Sequence, residues 1–91
     1  MRVNPYYNKD TMNLKQLTCD LEKQNYTCVL SEEDECLYVC ISYGDHIEIA
    51  LTGYKDWCIA YYQAFKDVEI YHASTNWGVI KLLRKLLKDA K

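Results

Sequence analysis

Residues 37–51 alternate with a period of two on both sides of a Tyr43-Gly44-Asp45 turn, and no other feature constrains the fold as much. Leu37, Val39 and Ile41 point one way; Tyr38, Cys40 and Ser42 point the other. After the turn, Ile47, Ile49 and Leu51 form a second apolar row opposite His46, Glu48, Ala50 and Thr52. Such alternation belongs to strands with one buried face, and Gly and Asp supply the turn chemistry. An isolated hairpin is only marginally stable. These aliphatic side chains therefore need a second layer from the rest of the chain.

Two stretches can supply it. Residues 13–24 carry Leu14, Leu17 and Leu21 at helical spacing, with Thr11 or Asn13 as the cap and Asn25 able to end the helix in a left-handed conformation. Residues 73–76 (ASTN) offer Ser74 or Thr75 as an N-cap. The helix after them runs to about 89 with Val79, Leu82, Leu83, Leu86, Leu87 and Ala90 on one stripe and Ile80 at its edge. Between the helices, 26–30 (YTCVL), 57–62 (WCIAYY) and 68–72 (VEIYH) read as further strands, a helix over 55–65 being the alternative for the second.

The order α-β-β-β-β-β-α with short turns predicts the α+β class: an antiparallel meander sheet of four or five strands with an N-terminal and a C-terminal helix packed on one face. One domain is expected over 12–91, after an irregular arm over 1–11. Trp57, Trp77 and Tyr26 are assigned to the core. The other sheet face is expected to be open and to carry Tyr38, Cys40, His46 and Glu48, extended by Tyr61 and Tyr71.

Charge divides the molecule. Residues 10–56 hold ten acids against three lysines, a balance of −7, and residues 77–91 hold five bases against one Asp, a balance of +4. An acidic body with a basic last helix opposes general attraction to nucleic acid. Nine Tyr against a single Phe suit a surface that must be adhesive and hydrated. The opening MRVNPYYNKD has no apolar h-region, and no run is long enough to span a membrane. With five Cys, an odd count, reduced thiols and a cytosolic location are expected.

The candidate chemistries are few. Cys36 and Cys40, spaced CxxxC, with His46 and Cys28 offer thiolate and imidazole donors of the kind that hold zinc. The commoner meaning of such cysteines is a small structural thiol, so no metal and no cofactor is expected. Cys58 with His72 or His46 is a nucleophile–base candidate lacking an elbow motif or an orienting acid, and the expectation is a protein that is not an enzyme. Lys81, Arg84, Lys85 and Lys88 on one helix face can contact phosphates, while open-face tyrosines can stack bases. The acidic turn Glu32, Glu33, Asp34 and Glu35, with Asp45, Glu48 and Tyr38, suits a protein partner bearing Lys and Arg.

The segment NLKQLTCDLEKQNYTCVLS at 13–31, with a Leu-bearing helix, an Asn/Lys junction and Tyr26, Thr27, Leu30 and Ser31 in the following strand, resembles the opening of small phage-encoded anti-CRISPR proteins, inhibitors of bacterial defence. The likeness ends at Ser31; the cysteine content and the basic last helix depart from that pattern. It implies a non-enzymatic inhibitor acting in the host cytosol, whose carboxylates occupy a basic nucleic-acid groove on the target. The expected function is thus protein binding through an acidic surface. Direct nucleic-acid binding by the basic helix ranks second and a zinc or thiol protein third. Homo-oligomerisation would help so small a core.

Overall fold

The computed structural model describes residues 13–42, 44–52 and 56–88. The expected arm over 1–11 lies outside them, as do Tyr43 and 53–55 of the turns. The elements are α1 (Leu14–Lys23), β1 (Thr27–Ser31), β2 (Cys36–Ser42), β3 (Asp45–Leu51), β4 (Trp57–Tyr62), β5 (Glu69–Ala73) and α2 (Asn76–Lys88). The five strands form one antiparallel sheet in chain order, β1-β2-β3-β4-β5, so the expected α+β meander is the observed fold. No helix among the described residues is long and apolar enough to cross a membrane.

The register sorts the side chains. Cys28 and Leu30 pair with Val39 and Leu37, which pair with Ile47 and Ile49, which pair with Tyr61 and Ile59. Tyr71 and Ala73 complete this face on β5 opposite Ile59 and Trp57. Leu37, Val39, Ile47, Ile49, Trp57, Ile59 and Tyr61 are buried there beneath Leu17 and Leu21 of α1 and Val79, Ile80 and Leu83 of α2. Full burial of each aliphatic side chain contributes about 1.5–3 kcal/mol, which is why the helices settle on this face and leave the other to solvent. Ile80 belongs to the core rather than to the edge of the stripe. Residues 57–62 are a strand, because Trp57, Ile59 and Tyr61 point inward while Cys58, Ala60 and Tyr62 alternate outward.

Local chemistry sets the ends. The Asn13 side chain accepts from the Gln16 amide at 2.7 Å, and Asn25 leaves α1 with φ 71°. Thr75 caps α2, its hydroxyl accepting from the Gly78 amide at 2.9 Å. The layers are joined by a relay in which Trp57 Nε1 donates to Asn76 Oδ1 at 2.9 Å and Asn76 Nδ2 donates to Asp20 Oδ2 at 3.1 Å. Trp77, expected in the core, is instead 53% exposed. It lies on the solvent side of α2, with the Arg84 guanidinium 5.2 Å above its ring.

Candidate protein-contact face

The uncovered face is a grid of short cross-strand rows. Val29, Tyr38, Glu48, Ala60 and Ile70 lie side by side across all five strands, and Thr27, Cys40, His46 and Tyr62 form the adjacent row. His46 stacks on Tyr62 with ring centroids 4.7 Å apart and planes 8° from parallel. Tyr38 stands 6.4 Å from His46 at a tilt of 48°. Two strand positions on from His46, Glu48 accepts from its Nε2–H at 3.1 Å through Oε2. The face therefore carries a carboxylate at its centre with three rings around it.

Tyr61 and Tyr71 do not extend this face as expected. Both point to the helices: Tyr61 is buried and Tyr71 packs against the core. The strand phase set by Trp57 and Ile59 requires Tyr61 inside and Tyr62 outside, so Tyr62 is the open-face tyrosine that the sequence reading missed, and its signal was present in that phase. The Tyr61 hydroxyl is buried with no hydrogen-bond partner among the described residues. Burial, then the Asp45 and Glu69 carboxylates, raise its pKa.

The acidic turn is tightly closed. The Glu35 amide donates to the Glu32 carbonyl at 3.3 Å, the Asp34 amide donates to Ser31 Oγ at 3.2 Å, and Glu35 sits at φ 53°. All four acids are exposed. Next to the turn, the Tyr38 hydroxyl has its pKa raised first by the charge of the neighbouring Cys36 thiolate, then by burial, and after these by Asp34 and Glu48. Tyr38 is thus the bridge between the turn and the central carboxylate. The buried Cys36 thiol lies in the same field: burial, then Glu48, raise its pKa, the Tyr38 hydroxyl lowers it, and Asp34 adds to the rise. Asp45 is not part of this cluster. It begins β3 at the opposite end of β2, about 20 Å away at 3.3 Å per residue, and its Oδ1 accepts from the Ala64 amide at 3.2 Å, tying two loops together.

The thiol sites separate. Cys28 points to the core side of the sheet and Cys36, Cys40 and His46 to the other side; burial, then the Glu22 carboxylate and the Cys40 sulfur, push the Cys28 pKa up to about 11. Cys36 and Cys40 share a face but lie four strand residues apart, about 13 Å, whereas sulfurs on one zinc ion, each at ≈ 2.3 Å, are close neighbours. Among the described residues no three His, Cys, Asp or Glu side chains come together as a metal set. Cys58 and His72 do come together, directly opposite on β4 and β5. The open-face neighbour of His72 along β5 is Ile70, so no carboxylate on that strand orients the imidazole.

Lys81, Arg84 and Lys85 are exposed on α2, whose residue Lys88 ends the helix. Arg84 is committed: besides its place over Trp77 it donates to Gln24 Oε1. This cationic face belongs to the helical layer, and Tyr38 and Tyr62 belong to the opposite side of the sheet. The two cannot grip one strand of nucleic acid together.

Fold and face define a class: a small two-layer α+β domain whose antiparallel sheet has one face uncovered by its own helices and an acidic turn at one end. Compared with known protein families, curated proteins and solved structures, the chain matches none.

Proposed function

We propose that this protein is a non-enzymatic binding module that engages another protein through its acidic turn and the adjoining open sheet face, in the manner of a phage-type inhibitor of a nucleic-acid-handling defence protein. The contact residues are Glu32, Glu33, Asp34, Glu35, Tyr38 and Glu48; Asp45, at the far end of β2, serves the fold. The observation that supports the reading is the placement of Tyr38 between the exposed turn acids and Glu48, opposite it on β3, close enough for both Asp34 and Glu48 to raise its pKa. Such a surface pairs with Lys and Arg that otherwise meet phosphates, and steers a basic partner at long range. The aromatic content of the face suits it to supply the interface anchors.

Affinity capture from host lysate, with and without nuclease and eluted by a salt gradient, tests this. One protein retained despite nuclease, shed as salt rises, and lost when Glu32, Glu33, Asp34 and Glu35 are all changed to Lys is the expected result. Capture that collapses on nuclease treatment, and depends on Lys81, Arg84, Lys85 and Lys88 instead, overturns it in favour of the basic helix.

A further inference from the structure

We propose that the basin around Glu48 on the open sheet face is a binding site for the guanidinium group of an arginine presented by the protein partner. This rests on the reading of that face as a contact surface and names the chemistry it takes. Glu48 sits on β3, the central strand, with Tyr38 opposite on one side and Ala60 on the other. Ala60, with Ala50 one pleat along β3, keeps the floor beside the carboxylate low, while Tyr38, His46 and Tyr62 rise around it. His46 and Glu48 remain 40% and 33% exposed, so the site is reachable. Only Oε2 is engaged by His46, which leaves Oε1 to an incoming donor.

Charge selects the occupant. None of the described residues on this face is Lys or Arg, so among them His46 alone pairs with Glu48. An apolar partner would bury the carboxylate unpaired, which is strongly unfavourable. A second copy docked face to face about a two-fold axis through the central strand would set two Glu48 side chains against each other, and a phosphate would be repelled. A cation satisfies the carboxylate, and of the two permanently charged side chains, Arg and Lys, the guanidinium is the planar one. It forks onto a carboxylate and stacks on aromatic rings, where ammonium remains a strongly hydrated point charge.

The test is an amide-resolved NMR titration with N-acetyl-arginine amide and with its lysine counterpart, on the wild type, on Glu48→Gln and on Tyr62→Leu. Arginine should shift Tyr38, His46, Glu48 and Tyr62, with lysine roughly threefold weaker or less effective still. The response should vanish in Glu48→Gln and weaken in Tyr62→Leu, both checked for an otherwise native spectrum. Lack of open-face shifts, or an undiminished response in Glu48→Gln, overturns the proposal. Shifts confined to 32–35 would also overturn it while leaving the acidic-turn reading intact. Conversely, open-face binding that persists when partner capture ignores charge reversal at 32–35 upholds the basin and sinks that reading.

Discussion

Trp57 Nε1 donates to Asn76 Oδ1 across 2.9 Å, so the largest buried side chain of the sheet is hydrogen-bonded to the first residue of the last helix. Asn76 passes the bond on to Asp20 of α1. Asn76→Ala should leave the indole N–H without its partner and cost about 1–3 kcal/mol, the usual penalty for a stranded buried donor. Urea denaturation followed by Trp57 fluorescence, in a Trp77→Phe background, reads this directly. A loss within experimental error would mean that the relay does not hold the layers.

Phe65 is fully exposed and sits at φ 64° in the turn between β4 and β5. A bulky residue in the left-handed region costs about 1–2 kcal/mol, and glycine does not incur that cost, although it gives back roughly 0.5–1 kcal/mol through the freer unfolded chain. Phe65→Gly should therefore raise stability by up to about 1 kcal/mol and lift the thermal midpoint by a few degrees. A clear drop would show that the ring makes stabilising contacts at odds with its full exposure.

The Tyr61 hydroxyl is enclosed without a partner among the described residues, whereas the Tyr71 hydroxyl donates to Glu69 Oε1 at 2.7 Å. Deleting an unpaired buried polar group relieves a desolvation cost of about 1–3 kcal/mol. Tyr61→Phe should be neutral to stabilising, and Tyr71→Phe slightly destabilising, in parallel chemical denaturation. The reverse ranking would reveal a partner for Tyr61.

Cys28 holds its proton up to about pH 11 because burial, Glu22 and Cys40 disfavour the thiolate. Its folded pKa lies above the ordinary value of 9.0, so the stabilisation is complete below pH 9 and is lost as pH rises from 9 to about 11. Denaturation under reducing conditions should show stability falling across that window, with Cys28→Ala flattening the slope. Alkylation at pH 8 should modify the exposed Cys19 and Cys40 well before Cys28. A Cys28 that reacts as fast as Cys40 would contradict its placement on the core side.

Much of this was legible in the sequence because it depends on period. Alternation through 37–51 gave β2, β3 and their buried rows, and the leucines at 14, 17 and 21 gave α1. Two misplacements came from reading residue type instead of phase. Residue type places Tyr61 outward, whereas the phase of Trp57 and Ile59 fixes it inward; residue type likewise places Trp77 inward, whereas it lies seven residues from Arg84, on the same side of the helix. Charge alone groups Asp45 with the turn acids, whereas the length of β2 separates them. The His46–Tyr62 stack and the Trp57–Asn76–Asp20 relay were out of reach, since the first needs the β3–β4 register and the second needs the helices' placement on the sheet.

The meander has a kinetic consequence. Each strand pairs with its immediate predecessor in the chain, so the sheet can assemble hairpin by hairpin with only short loops to close. The Asp20–Asn76 bond spans 56 residues and forms only when the first and last elements meet. This topology predicts that the helix pair docks after the transition state, so Asn76→Ala should unfold faster with little change in its folding rate, which stopped-flow kinetics checks. The joint that sets how long the native state lasts is then distinct from the hairpins that set how quickly it is reached.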